Sequence, residues 1–235
     1  MKRIKELVLS LTLFEKLLWL CSIAGVVISY AVSGAGDILT ILASVVGLTA
    51  LIFIAKGMVA GQVLIIIFSL FYGFISFRMR YYGEMITYLG MSAPMAVLAL
   101  ISWMKNPYGE TNEVKISRVT KKQITVMLII SVFVTVAFFF ILKALNNASL
   151  IASTVSVLTS FIAAYLTFLR SPFYAIGYAC NDLILILLWV FASVKDPAYT
   201  PMIICFTMFL INDLYGFISW HRRQKHQMMF LNDEI

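Results

Sequence analysis

Residues 211–223 read INDLYGFISWHRR, and this stretch goes far towards deciding the fold. An apolar run ends in Trp220 and is followed by basic residues, which is typical of a helix that leaves a lipid bilayer. Residues 101–105, ISWMK, repeat this ending. Asn212 and Asp213 stand inside the apolar run, where polar side chains are costly and usually face a protein interior. The stretch therefore predicts a membrane-spanning helix that carries a polar site.

The composition extends this prediction to the whole chain. Of the 235 residues, 62% are hydrophobic and 12% are charged, whereas soluble domains average about 45–50% and about 25%. The formal charge of +7 does not indicate a nucleic-acid partner, because the basic residues fall between the apolar runs and there set membrane topology. Cys21, Cys180 and Cys205 all lie inside apolar runs, so neither a disulfide framework nor a metal site is predicted.

Eight apolar runs approach the length of about 20 residues that a transmembrane helix needs. They cover residues 17–33, 38–55, 62–79, 86–104, 122–143, 149–169, 174–194 and 200–220. No run alternates with a period of two as a porin strand does. The first run resembles a signal peptide, but we interpret it as a retained helix. The sequence predicts an all-α integral membrane protein with one polytopic domain, residues 1–235, that ends in a tail, residues 221–235.

The distribution of lysine and arginine predicts the orientation of this domain. With the N-terminus placed in the cytoplasm, all but four of the 18 basic residues fall on the cytoplasmic side. The four exceptions are Arg78, Arg80, Lys143 and Lys195. Cytoplasmic loops of membrane proteins carry such an excess of basic residues. Both termini are therefore expected in the cytoplasm.

The repeated ISW ending suggests an internal repeat. It closes the fourth and the eighth span, and an Ala-Ser pair recurs in the second and sixth spans, as Ala43-Ser44 and Ala152-Ser153. We expect two parallel three-helix units, spans 2–4 and 6–8, joined by a fifth span that inverts the chain. This SWEET-like arrangement occurs in transporters that bind substrate between the two halves.

Two Asn-Asp pairs lie at one depth in the predicted membrane. Asn181 and Asp182 stand near the centre of the seventh span, and Asn212 and Asp213 stand near the centre of the eighth. Intramembrane carboxylates usually face an interior or a wet cavity. The pairs predict a ligand site between these helices, although side chains that only hydrogen-bond neighbouring helices are the alternative.

Aromatic residues follow the same helix faces. Tyr178 and Trp189 are spaced to lie on the Asp182 side of the seventh span, and Tyr215 lies on the Asn212 side of the eighth. Carboxylate, amide and ring together predict a site for a flat polar molecule that is neutral or cationic.

Other polar residues suggest less. Gln62 and Glu84 stand at predicted span edges, where solvated side chains are expected. His221 and His226 lie in the basic tail without acidic or cysteine partners at ligand spacing, so no metal site is predicted there. No GxxxxGK[ST] motif indicates an ATPase. The residues around Asp182 and Asp213 contain no motif that predicts an aspartyl-protease dyad. We therefore expect no cofactor and no enzymatic activity.

In these residues the chain resembles the PnuC family of bacterial vitamin transporters, over nearly its whole length. The residues that carry the resemblance, in order, are Tyr82-Gly83-Glu84, Pro94, Asp182, Trp189, Leu210-Ile211-Asn212, Tyr215-Gly216-Phe217-Ile218 and Trp220. The resemblance implies a homotrimer in the bacterial inner membrane that carries nicotinamide riboside by facilitated diffusion. It also implies a cytoplasmic kinase that phosphorylates the imported nucleoside and so prevents its return.

The chain departs from the family pattern within the expected site. In family members that carry nicotinamide riboside, the resemblance implies a Trp-x-x-Trp pair ahead of the acidic or amide residue of the seventh span. Here Ala175 and Tyr178 stand at these positions, ahead of Asp182. Phe68 and Tyr88 stand where the family pattern has amides. A deoxynucleoside or another vitamin is therefore an alternative substrate. Proton symport through the aspartates is an alternative mechanism. The residues predicted to contact substrate are Asn181, Asp182, Asn212, Asp213, Tyr178, Trp189, Tyr215 and Tyr88.

The predicted orientation can be tested with reporter fusions. A reporter that is active only outside the cytoplasm should be inactive when fused after Ile235 and active when inserted between Lys195 and Pro197, because these points fall on opposite sides. A matched reporter that is active only in the cytoplasm should give the reverse pattern. External activity of the fusion at Ile235 would contradict the orientation.

Overall fold

The computed structural model describes residues 9–34, 38–78, 82–109, 111–147 and 149–233. Within these ranges, eight helices are long and apolar enough to cross a membrane. They are α1 (Leu13–Ser33), α2 (Ile38–Ala55), α3 (Val59–Arg78), α4 (Tyr82–Met104), α5 (Lys121–Ala144), α6 (Leu150–Phe168), α7 (Tyr174–Lys195) and α8 (Thr200–Asp233). The prediction of an all-α membrane protein with eight spans is confirmed.

Local sequence signals explain several helix ends. In α1, Thr12 accepts from the backbone N–H of Glu15 at 3.2 Å, and the Glu15 carboxylate accepts from the backbone N–H of Thr12 at 2.7 Å. This capping box satisfies two N–H groups that have no partner inside the helix. Thr120 and Gln123 form the same box at the start of α5. The first helix ends at Gly34, whose φ of 64° is the left-handed conformation that glycine adopts without strain.

The fourth span is not a regular helix throughout. Its residues Tyr88–Ser92 are π-helical and lie between the α-helical parts Tyr82–Thr87 and Ala93–Met104. Pro94 follows directly, and its missing N–H removes the hydrogen bond to the carbonyl of Gly90. The N–H of Ala93 instead bonds to the carbonyl of Tyr88. Such π-bulges are frequent at functional sites.

Six of the helices form a closed ring. Going round it, α2 packs on α3, α3 on α4, α4 on α6, α6 on α7, α7 on α8, and α8 returns to α2. The first helix packs outside this ring against α2 and α8, and α5 packs outside it against α6. The ring brings the polar residues of its helices towards a common centre, whereas α1 covers part of its outer surface.

The last helix extends well beyond the predicted end of its membrane span. The side chain of Gln227 accepts from the backbone N–H of Ile116 at 2.9 Å and donates to the carbonyl of Val114 at 3.1 Å. Arg223 forms an ion pair with Glu113. Part of the predicted tail is therefore a helix that holds the connection between α4 and α5.

The Ser-Trp pairs at the ends of the fourth and eighth spans bind the ring together. Ser102 Oγ donates to the carbonyl of Phe168 at 2.8 Å, and Trp103 Nε1 donates to that of Thr167 at 2.9 Å. These bonds join α4 to the end of α6, where carbonyl groups lack partners within the helix.

The second Ser-Trp pair makes the corresponding bonds to α2. Ser219 Oγ donates to the carbonyl of Ala55 at 2.7 Å, and Trp220 Nε1 donates to that of Ile54 at 2.8 Å. The rings of Trp103 and Trp220 meet with centroids 5.3 Å apart, and both residues are fully buried. The two tryptophans that end these spans are therefore buried inside the protein, with carbonyl partners for their N–H groups. We call this end of the ring the tryptophan end.

The helices α2 and α6 also stop in the same way. Gly57 and Arg170 are left-handed, with φ of 68° and 58°. The N–H of Met58 bonds to the carbonyl of Phe53, and the N–H of Ser171 bonds to that of Leu166, as in a Schellman turn. Arg170 stands in the connection between α6 and α7. Burial lowers the pKa of its guanidinium group below the usual value.

Removing the indole N–H from either tryptophan should destabilise the ring by similar amounts. We expect Trp220→Phe and Trp103→Phe each to lower the free energy of unfolding by about 1 kcal/mol, because each loses one buried hydrogen bond. Thermal unfolding of the purified protein in detergent measures this effect. Trp19→Phe is the control, since Trp19 bonds to Thr49 Oγ1 outside the ring. A larger effect in Trp19→Phe than in the ring variants would contradict the prediction.

Candidate functional site

A cavity of about 90 Å³ lies inside the ring of helices. This volume holds only a few water molecules, so a larger ligand requires the surrounding helices to separate. The polar residues that line it are Gln62, Ser69, Tyr88, Ser92, Ser160, Thr167, Tyr174, Tyr178, Asn181, Asp182 and Asp213. Apolar walls come from residues such as Ile54, Phe68, Leu185, Phe206 and Phe209.

The carboxyl groups of Asp182 and Asp213 lie within hydrogen-bonding reach of each other. Asp182 is 3% exposed and Asp213 is 4% exposed, so water does not screen the pair. Two ionised carboxylates in such contact repel, and a proton or a cationic group has to lie between them. The sequence contains no motif that predicts this contact; the packing of α7 against α8 produces it.

Asn181 joins the seventh helix to the sixth. Its Oδ1 accepts from Ser156 Oγ and from Thr159 Oγ1, both at 3.0 Å. These two bonds fix the orientation of the amide, whose residue lines the cavity. Asn181 is therefore both an interhelical contact and a candidate ligand contact, which are the two roles that the sequence left open.

Gln62 is a cavity residue that sequence reasoning missed. Its position near the start of α3 predicted a solvated side chain, but only 1% of the residue is exposed. Among the described residues, no hydrogen-bond partner meets its Nε2 atom or the Oδ2 atom of Asp182. Buried polar atoms without partners are rare and need an explanation. A polar ligand in the cavity would satisfy both.

Aromatic side chains form two walls of the cavity. Tyr88 lies against Tyr72, with ring centroids 4.4 Å apart, and against Phe68, with centroids 5.9 Å apart. On the other side, Tyr174 and Tyr178 approach with centroids 6.3 Å apart. These rings offer faces and edges on which a flat heterocycle can stack. Tyr174 was not predicted from the sequence as a cavity residue. Ala175, which stands next to it, is fully buried.

Asn212 and Tyr215 point away from the cavity. Asn212 Nδ2 donates to Ser22 Oγ at 2.9 Å, and the Tyr215 hydroxyl donates to Glu15 at 2.9 Å. Glu15 in turn pairs with Lys56 at 3.4 Å. Both predicted site residues therefore hold α1 against the ring, because consecutive residues on a helix differ by about 100° and only Asp213 of its pair faces inward.

Trp189 is also separate from the cavity. It lies seven residues beyond Asp182 along α7, which corresponds to roughly 10 Å at about 1.5 Å per residue. Its ring packs against Tyr199, with centroids 5.6 Å apart, in a hollow that also contains Glu84. We call this the Glu84 end of the ring. Trp189 therefore lines a different space from Asp182, further along the same helix.

The charge of the cavity is one-sided. Of the described residues that line it, two are aspartates and none is lysine, arginine or histidine. The described residues also contain no group of three or more metal-ligand side chains. The site therefore suits hydroxyl groups, amides or a positive charge, and its described lining offers no basic partner for a phosphate group.

A ring of membrane-spanning helices around a polar internal cavity occurs in membrane transporters, which bind their substrates near the middle of the bilayer. The family described as nicotinamide mononucleotide transporter matches residues 37–222, and the chain belongs to this family. This is a family of transporters and not of enzymes.

Two similar proteins support this assignment. The nicotinamide riboside transporter PnuC of Neisseria mucosa (strain ATCC 25996 / DSM 4631 / NCTC 10774 / M26) is 27% identical over 226 residues, which cover 94% of this chain and 86% of that protein. The crystal structure of the vitamin B3 transporter PnuC is 26% identical, with a TM-score of 0.79, and the match covers 93% of this chain and 94% of that one. The resemblance to the PnuC family is thus confirmed.

Asp213 faces the cavity and Asn212 faces α1, so we expect substitutions at these two positions to have opposite effects on stability. We expect Asp213→Asn to raise the free energy of unfolding by about 1 kcal/mol, because it relieves a buried contact between carboxyl groups, as substitutions in functional sites often do. Asn212→Ala should lower it by about 1 kcal/mol, because the bond to Ser22 is lost. Thermal unfolding in detergent at neutral pH tests both. Equal destabilisation by the two variants would contradict the assignment.

Proposed function

We propose that this protein imports nicotinamide riboside, or a closely related nucleoside, across the bacterial inner membrane by facilitated diffusion. The family assignment and the name of the Neisseria relative support the substrate. The excess of basic residues on one side supports an orientation with both termini in the cytoplasm. The tryptophan end of the ring is then the cytoplasmic end.

The charge of the cavity is the observation that carries this proposal. A nucleotide brings a phosphate, which needs basic side chains or helix N-termini as partners. The described lining contains the carboxyl pair of Asp182 and Asp213 and no basic side chain. The cavity therefore favours the riboside over the mononucleotide, although the family is described by the latter.

Each group in the cavity has a role in this proposal. The carboxyl groups of Asp182 and Asp213 accept hydrogen bonds from ribose hydroxyls and balance the positive charge of the nicotinamide ring. The amides of Asn181 and Gln62 bind the carboxamide or the sugar. Tyrosine rings, including Tyr178, stack on the heterocycle, where a cationic ring gains additional attraction.

The departures from the family pattern keep a second substrate class in view. Phe68 and Tyr88 stand where amides are expected, and both side chains line the cavity. Fewer amide donors and more ring surface favour a substrate with fewer hydroxyl groups. A deoxynucleoside or another flat vitamin is therefore the alternative ligand for the same site.

We also propose that α2–α4 and α6–α8 are parallel repeats in a SWEET-like arrangement. The matched bonds of Ser102-Trp103 and Ser219-Trp220 support this relation. The matched left-handed turns after α2 and α6 support it further. Transport then proceeds by movement of one half against the other around the central cavity.

The resemblance to the family extends the proposal to partners. The chain forms a homotrimer, and a cytoplasmic kinase phosphorylates the imported nucleoside. Because the described lining offers no basic partner for phosphate, binding of the phosphorylated product is disfavoured and its return by this route is slow. Accumulation in the cell then needs no energy input from the transporter itself.

Proton-coupled symport is the second candidate mechanism. The contact between Asp182 and Asp213 favours it, because two carboxyl groups in contact can hold and release a proton. An imposed pH gradient would then drive uptake against the substrate gradient. In passive transport the gradient has no such effect.

Uptake into sealed liposomes separates these mechanisms. With purified protein, labelled nicotinamide riboside should equilibrate without exceeding its outside concentration, and adding an internal kinase and ATP should cause accumulation of the phosphorylated product. Accumulation without a kinase or an ion gradient would contradict passive transport. Accumulation that depends on the pH gradient would support symport.

Two alanine variants of the purified protein test the site by equilibrium binding of nicotinamide riboside. Asp182→Ala should weaken equilibrium binding roughly 5- to 150-fold, because removing a partner of a buried polar group costs about 1–3 kcal/mol. Asn212→Ala is the matched control, since it lies at the same depth but faces α1, and should leave the affinity unchanged. Equal losses of affinity in both folded variants would contradict the assignment of Asn212.

A further inference from the structure

A second hollow, which we call the vestibule, lies at the Glu84 end of the ring. Its volume is about 420 Å³, and it is bounded by the start of α4, the connection between α5 and α6, and the end of α7. Trp189 and Tyr199 form one wall, with ring centroids 5.6 Å apart. Glu84, Asn147 and Ser153 form a polar wall. In the proposed topology, the vestibule faces the outside of the cell.

A small cavity, which we call the passage, lies between the vestibule and the central cavity and shares lining residues with both. This passage has a volume of about 30 Å³ and shares Glu84, Asn147, Ser153 and Leu185 with the vestibule. It shares Tyr88, Ser92, Ser160, Asn181 and Leu185 with the central cavity. The three spaces therefore lie next to one another between α4, α6 and α7, and Leu185 lines all of them.

The passage has a polar surface. Hydroxyl groups of Ser153, Ser156 and Ser160 follow one another along α6, and the amides of Asn147 and Asn181 lie at its two ends. Hydroxyl and amide groups at this depth replace the water that a polar molecule loses on leaving the vestibule. Asn147 Nδ2 donates to Ser153 Oγ at 2.7 Å and Ser156 Oγ donates to Asn181 Oδ1 at 3.0 Å, so the row is already ordered before a ligand arrives.

Backbone geometry keeps the passage narrow. A Cβ atom on Gly83 would lie 2.8 Å from Leu142 Cδ2 and 3.4 Å from Asn147 Oδ1. The absence of a side chain at this position allows α4 to approach the end of α5 closely. With a volume of about 30 Å³, the passage is too small for a nucleoside unless the helices move, whereas the vestibule has about 420 Å³.

We propose that the vestibule is a second binding site, which captures the substrate before it moves to the central cavity. It accepts a flat heteroaromatic ring that carries a polar sugar. The ring stacks on Trp189 and Tyr199, and the sugar hydroxyls bond to Glu84 and Asn147. This inference rests on the proposed function for the identity of the substrate, but the site itself is defined by its own residues.

The electrostatics of the vestibule suit a weak, transient complex. Glu84 lies at the inner side, and Lys195 stands at the exposed rim. A cationic ring is attracted to the carboxylate and to the faces of the two aromatic rings. The positive charge of Lys195 at the rim weakens the binding of a cationic ligand. The vestibule therefore binds the ligand with low affinity and releases it readily.

Transport kinetics test the capture step. We expect Trp189→Leu and Tyr199→Leu to raise the concentration for half-maximal uptake of nicotinamide riboside roughly threefold to tenfold, because each removes one stacking partner. The equilibrium affinity of the purified protein should stay at the wild-type value, since the central cavity is intact. Trp189→Phe keeps a ring and should restore most of the uptake.

Phe133→Leu is the matched control, because Phe133 is an aromatic residue on α5 that is 72% exposed outside the ring. Unchanged uptake in the vestibule variants would overturn the proposal. A parallel loss of equilibrium affinity would also overturn it, because Trp189 would then act on the central site.

A direct measurement does not depend on transport. In the Asp182→Ala protein, saturation-transfer NMR with millimolar nicotinamide riboside should detect binding at the vestibule. The signal should fall clearly when Trp189→Leu is added and stay unchanged when Phe133→Leu is added; a signal that Trp189→Leu leaves undiminished overturns the proposal. Absence of uptake by the wild-type protein alongside an NMR signal that depends on Trp189 would refute the proposed function and leave the vestibule established.

Discussion

Hydrogen bonds from two Ser-Trp pairs to the ends of α6 and α2 hold the ring of helices closed. In a membrane, lipid supplies no hydrogen-bond partner, so the carbonyl groups at a helix end and the indole N–H groups have to find partners in the protein. Here each satisfies the other. The same contacts bring the rings of Trp103 and Trp220 together at the tryptophan end. The ring of Trp220 in turn packs against Tyr174, which lines the cavity.

The ring makes it possible to bury groups that are unfavourable by themselves. The carboxyl pair of Asp182 and Asp213 and the amide of Gln62 face a cavity instead of lipid. Their unsatisfied atoms cost stability, and this cost is acceptable where a passing ligand supplies the missing partner. The π-helical turn at Tyr88–Ser92 also contributes to the polar lining, because two of its side chains lie in the cavity wall.

Outside the ring, polar residues bind α1 to the ring helices. Glu15 of α1 is 1% exposed and contacts both Lys56 of α2 and Tyr215 of α8. A buried ion pair is stable only when additional hydrogen bonds compensate for lost water, and the capping bond from Thr12 supplies one. The first helix is thus fixed to the ring by residues that, from their chemistry alone, resemble parts of a binding site.

The sequence by itself determined the number of spans, the α-helical class and the family. These properties follow from hydropathy and from residue order along a helix, which are local quantities. Only the tertiary structure decided which polar residues meet. Asp213 faces the cavity and its neighbour Asn212 faces α1, because helix rotation separates adjacent side chains. Gln62 and the tryptophans are buried because other helices cover them, and a single sequence does not state which helices become neighbours.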